Sequence, residues 1–95
     1  MEEIKKELLG LGFSANSKGI LYWIDLIELG KNKTGTGIVE LYKEIAKTND
    51  TSYTNVERCL RVALEPAKEN IKKKYKYNNK ISNLTFLNLK RYELI

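Results

Sequence analysis

The chain contains no histidine and only one cysteine, and these two shortages remove most enzyme chemistry at once. Without histidine, no Ser–His or Cys–His pair can activate a nucleophile. With Cys59 alone, no internal disulfide can form. No cluster of carboxylates sits at metal-ligand spacing either. The expectation is a protein that is not an enzyme and needs no cofactor or metal. There is also no long apolar run and no secretory signal, so a cytoplasmic protein is expected. The glycine-bearing stretch Gly30 to Gly37 follows no strand and fits neither the dinucleotide-binding nor the P-loop pattern, so it reads as a flexible connector.

What is present is charge, and it is unevenly spread. Ninety-five residues make one domain with a modest core, and the net charge is +5. Residues 1–50 carry 7 Lys and Arg against 8 Asp and Glu; residues 51–95 carry 10 against 4. Positive potential is thus concentrated in the second half, which favours a polyanionic partner.

Helical spacing runs through most of the chain. Residues 2–11 form a first helix with Ile4, Leu8 and Leu11 on one side, ended by Gly10 and Gly12. Ser17 caps a second, through Leu29, that is apolar nearly all round and should be the central core helix. Trp23 fills volume there. Thr36 caps a third helix whose buried stripe is Ile38, Leu41, Tyr42, Ile45 and Ala46. Asn49-Asp50-Thr51 breaks the pattern, and Thr51 or Asp50 caps a fourth helix.

Winding that fourth helix at about 100° per residue puts Tyr53, Val56, Cys59, Leu60, Ala63, Leu64 and Ala67 on one arc. Thr54, Asn55, Arg58, Arg61 and Glu65 lie opposite, with Glu57 at the margin. Arg58 and Arg61 therefore project the same way from the N-terminal half, where a recognition helix meets base edges. An ordinary helical hairpin with a solvated outer face stays open on pattern alone. Pro66 should kink the helix rather than end it, since Leu64, Ala67, Ile71 and Tyr75 keep helical spacing. The lysine-rich segment 68–80 is read either as a phosphate-contacting surface or as a solvated connector. Ser82 or Asn83 caps a last helix carrying Leu84, Phe86, Leu87 and Leu94, docked on the core.

Lys18-Gly19-Ile20-Leu21-Tyr22, then Leu41-Tyr42 with Ile45-Ala46-Lys47, then Thr51 and Val56-Glu57-Arg58 with Arg61, Ala63 and Glu65, resemble the C-terminal effector domain of the stage zero sporulation protein A family. The resemblance is clear from Ile4 through Glu65 and faint beyond Ala67. It implies an all-α DNA-binding domain, a compact bundle of about five to six helices containing a helix-turn-helix. It further implies a recognition helix that reads a short GC-containing promoter box, with Glu57, Arg58 and Arg61 facing the major groove. The chain departs from the family in Val62, where histidine is common, and in Asn55, where arginine is. Asn49 replaces an apolar turn residue, Pro66 interrupts a continuous helix, and the family's N-terminal receiver domain is not in this sequence.

Together these readings make residues 1–95 a single helix-turn-helix domain of a sequence-specific, double-stranded DNA-binding transcription regulator. Arg58 contacts guanine, Arg61 a base or phosphate, and Glu57 accepts from a cytosine amino group. Ser52, Thr54, Asn55, Lys72 and Lys73 hold the backbone or an adjacent base. The alternative is a protein-interaction module that modulates a related regulator or RNA polymerase without reading DNA. A homodimer through Val62 and Leu94-Ile95 is compatible with either.

Overall fold

In the computed structural model, which describes residues 2–93, the chain is all helical. Six α-helices appear among the described residues: α1 (Glu2–Leu11), α2 (Lys18–Asn32), α3 (Ile38–Thr48), α4 (Tyr53–Leu64), α5 (Lys68–Tyr75) and α6 (Asn83–Arg91). A single 3₁₀ turn, Glu65–Ala67, links α4 to α5.

The helix with the most apolar surface takes the centre, as its composition demands. On α2, Ile20, Tyr22, Trp23, Ile24, Leu26 and Ile27 are buried, and α1, α3, α4 and α6 all pack against it. One side stays wet: Leu21 is exposed, and Asp25 and Glu28 are half-buried. Trp23 does more than fill volume. Its indole N–H donates to the carbonyl of Leu60 on α4 at 2.9 Å. Its ring also meets Phe13 and Phe86 edge-on, at centroid separations of 6.1 and 5.1 Å. One aromatic cluster thereby joins the α1–α2 connection, α2 and α6.

The connections correct several details. Ser17 caps α2 as expected, accepting from the Gly19 amide at 3.0 Å, but the helix runs on through Asn32. Gly37, not Thr36, is the residue before α3, with no side-chain cap. The connector is held rather than free. Arg91 of α6 donates to the carbonyls of Gly30, Lys33 and Thr36 at 3.1, 2.7 and 3.1 Å. Gly12, at φ +108°, ends α1 in a conformation that glycine adopts without strain. Pro66 lies in the first positions of the 3₁₀ turn, where a missing N–H does little harm. Leu64, Glu65, Ala67 and Lys68 all keep right-handed helical dihedrals. The α-helix itself gives way at Glu65, but the chain coils on through this turn to Tyr75 with Ala67 and Ile71 fully buried.

On α6, Ser82 is the cap, and Phe86 and Leu87 dock inward. Leu84 does not: it stands exposed at the helix start. Leu94 lies outside the described residues. The buried position near the end of α6 belongs instead to Lys90, only 1% exposed. Its ammonium donates to Glu7 of α1 and, at 3.1 Å, to Glu93; Lys74 also donates to Glu7, and the Tyr75 hydroxyl to Glu93. Five side chains so tie α1, α5 and α6 together.

Burial desolvates Glu7 and pushes its carboxyl up, but the Lys74 and Lys90 ammonium groups outweigh this and hold it below its ordinary value of 4.5. Glu93 is lowered in the same way, against burial, by the Tyr75 hydroxyl and Lys90. The unfolded chain therefore takes up protons first as pH falls through that range. The stability these carboxylates contribute is present above it and lost below it. Lys90→Met should lower stability by roughly 2 kcal/mol at neutral pH, less than the roughly 3–5 kcal/mol for a fully buried pair, because Glu7 and Glu93 keep some water contact. Thermal unfolding measured from neutral pH to below the glutamate range checks this: the variant should lose less of its stability on acidification than the parent. An equal loss in both would contradict it.

Candidate nucleic-acid interface

The pair α3 and α4 is joined by the four residues Asn49–Ser52. Asn49 ends α3 twice over, its backbone N–H and its side-chain amide both donating to the Ile45 carbonyl, at 3.0 and 2.8 Å. The residue itself is exposed. Asp50 takes φ +52°, which short Asp tolerates, and turns the chain back. That reversal moves the cap one residue beyond the expected Thr51 or Asp50. Ser52 is the N-cap, its hydroxyl accepting from the Asn55 amide at 3.2 Å. Thr51 is used otherwise, accepting from the Asn55 side-chain amide at 3.0 Å.

The inner face of α4 is Val56, Leu60, Ala63 and Leu64, all buried. Cys59 is half-buried, and its thiol lies 3.9 Å from Asn55 Oδ1. Tyr53, placed on the buried arc by periodicity, is exposed instead, because it opens the helix and lies at its edge. The Lys43 ammonium sits 5.7 Å from its ring centre. A close approach fixes the inner face against α2. At Gly19 an added Cβ would stand 2.4 Å from both the Ala63 Cβ and the Cys59 carbonyl oxygen.

The outer face carries the candidate residues. Ser52, Thr54, Arg58 and Arg61 are exposed; Asn55 and Glu57 are half-buried. Arg58 donates to Asn55 Oδ1 at 3.0 Å and Arg61 to Glu57 Oε2 at 3.1 Å. Both guanidinium groups are thus steadied by partners on their own helix. The Arg61–Glu57 pair, with side chains 59% and 38% exposed, is an i,i+4 surface pair worth about 0.3–0.5 kcal/mol, weak enough to be exchanged for another anion. Neither arginine is covered by another of the described residues, although Arg61 borders a groove whose opposite wall begins α6.

Lys72 and Lys73 lie on α5, half-buried and exposed respectively. The lysines that border the groove beside Arg61 are Lys68 and Lys80, which belong to the lysine-rich segment but not to the pair, Lys72 and Lys73, chosen from it as site residues. The positive balance of residues 68–80 was legible; which lysines turn towards α4 was not, because the 3₁₀ turn and the Tyr77–Ile81 loop decide it. Tyr75 and Tyr77 are half-buried, and Tyr75 is engaged with Glu93.

Two helices joined by a short turn, with polar and arginine side chains on the free face of the second, are an arrangement that small all-helical nucleic-acid-binding domains use. Residues 4–90 match the family described as Sporulation initiation factor Spo0A C terminal, and the chain belongs to that family, whose members are DNA-binding domains of a sporulation transcription factor rather than enzymes. The match reaches well past Ala67 and takes in α5 and nearly all of α6. No curated protein and no solved structure matches the chain. No helix among the described residues is long and apolar enough to cross a membrane.

The Gly19 contact yields a direct test of how α4 is held. Gly19→Ala should destabilise the protein by about 1–3 kcal/mol, because backbone rather than a flexible side chain stands in the way. Chemical denaturation of the two proteins measures this. An unchanged midpoint would mean that α2 and α4 are less closely packed than described.

Proposed function

We propose that residues 1–95 act as one cytoplasmic, sequence-specific, double-stranded DNA-binding domain of a transcription regulator, with α4 as the recognition helix. The observation that carries this reading is the exposure of Arg58 and Arg61, three residues apart on the free face of α4. Arg58 donates in bidentate fashion to guanine, Arg61 to a base or phosphate, and Glu57 accepts from a cytosine amino group. Ser52, Thr54 and Asn55, at the start of the helix, face an adjacent base or the phosphates. Lys72 and Lys73 supply sequence-blind attraction to the backbone. One such domain reads few base pairs, so contact with RNA polymerase or a second copy of the chain goes with this reading. Val62, exposed on α4, is a contact point for either. Leu94 and Ile95, the other expected contact points, lie outside the described residues.

Arg58→Ala should weaken binding to a duplex carrying the family's promoter box by about 1–3 kcal/mol and relax the preference at one base pair. Lys72→Ala should weaken all duplexes alike and reduce the salt slope by about one. A titration of both variants against boxed and scrambled duplex across a salt series measures these effects. Neutrality of both changes would overturn the site assignment, and equal affinity of the parent for both duplexes would favour a partner-binding module over a reader of sequence.

A further inference from the structure

Beside the recognition helix, between α4 and the start of α6, lies an open groove of about 550 Å³. Its apolar lining includes Ile38, Tyr42, Leu64, Ile81 and Leu84, and its charged groups are Arg61, Lys68, Lys80 and Glu57. Arg61 is paired with Glu57, and Lys68 with Glu65 at 2.8 Å. Lys80 is exposed. The lining thus carries a positive excess over an apolar bed, which suits an anion with an apolar body.

One atom in this lining asks for a partner. Asn83 is 7% exposed, and its amide nitrogen donates to the Tyr42 hydroxyl at 3.2 Å and the Glu57 carbonyl at 3.3 Å. The Glu57 carbonyl can only accept, so the amide orientation is fixed. That leaves Oδ1 buried with no hydrogen-bond partner among the described residues. Ser82 already caps α6, so capping does not explain Asn83. Burial pushes the Tyr42 phenol up, keeping it protonated at neutral pH. A hydroxyl that accepts from Asn83 still has its own proton to give. Oδ1 is closed to water as the side chains stand, so a ligand meets it only once the groove wall shifts; an acceptor and a donor joined through one amide are then complementary to the edge of a nucleobase, where an N–H lies next to a ring nitrogen or carbonyl.

We propose that the groove binds a mononucleotide, its base edge on Asn83 and Tyr42, its ring against the apolar lining and its phosphate on Lys80, Lys68 and Arg61. The site is distinct from the outer face of α4 but shares Glu57 and Arg61 with it, so nucleotide and duplex compete for Arg61.

The test uses the full chain without DNA, so that it stands apart from duplex reading. AMP, GMP, CMP and UMP are titrated in turn, with inorganic phosphate and adenosine as the two fragments, and backbone amide shifts are followed by NMR. At least one nucleotide should give saturable shifts around Tyr42 and Ile81–Leu84 with a Kd of about 1 mM or tighter, and neither fragment alone should match it. Asn83→Ala should weaken that binding by roughly fivefold to tenfold, the loss of one hydrogen bond. Because Asn83 also bonds Tyr42 and Glu57, Lys80→Glu at an exposed position is the second variant, expected to weaken binding at least tenfold while leaving the amide spectrum folded. No saturation, a response to phosphate equal to that of every nucleotide, or unchanged binding by Lys80→Glu overturns the proposal.

Discussion

The backbone of α2 lies against α4 at Gly19, with Ala63 and the Cys59 carbonyl across from it, and the indole N–H of Trp23 bonds the Leu60 carbonyl one turn of α2 further on. These two contacts set the height and the rotation of α4. The absence of a side chain at Gly19 brings the helices together, and the Trp23 bond is made to a carbonyl, whose position tracks the helix axis rather than a rotamer. A helix whose free face is to meet another molecule needs its buried face fixed in this way, since small displacements at the base become larger ones at the tips of long arginines. The turn before α4 adds a third restraint. Asn55 donates to both Ser52 and Thr51, and in turn holds Arg58.

The helices were legible because their apolar spacing was strong. The stripe of α3 and the inner face of α4 followed from periodicity, and so did the continuation past Pro66. Where the reading slipped, the deciding quantity was local dihedral geometry or a distant residue. Asp50 in a left-handed conformation shifted the cap to Ser52. Arg91, more than fifty residues away, ordered the connector after α2. Tyr53 and Leu84 both sit at helix starts, where an apolar residue on the nominal inner arc has nothing yet to pack against. Winding a helix gives direction around its axis but not the depth of the neighbour along it.

Lys90 is the clearest case of what sequence pattern cannot yield. A lysine in the last turn of a helix reads as a solvated end, well placed for the helix dipole. Here it is enclosed, because Glu7 arrives from α1 and Glu93, three residues on, closes over it from the end of α6. The family match takes in this C-terminal part through residue 90, whereas the resemblance of motifs alone faded after Ala67. The lysine-rich segment divides accordingly: Lys74, though exposed, pairs with Glu7, while Lys68 and Lys80 line the groove beside α4. A run of like charges was in fact at least two separate environments.

Within the proposed reading, the two arginines of α4 would not discriminate in the same way. Arg58 is steadied by a neutral amide, so its transfer to a base edge leaves no charge behind. Arg61 is steadied by Glu57, and its transfer to a base or phosphate leaves a carboxylate facing a polyanion. That carboxylate is repelled unless a base amino group lies within reach to donate to it. Glu57 would then act chiefly by rejecting sequences that lack a cytosine or adenine amino group at one position, and only secondarily by attraction. Its backbone carbonyl is meanwhile anchored by Asn83, so it cannot withdraw with α4 to relieve the repulsion. Selectivity on this face would arise as much from the acidic residue the helix retains as from the two basic residues it presents.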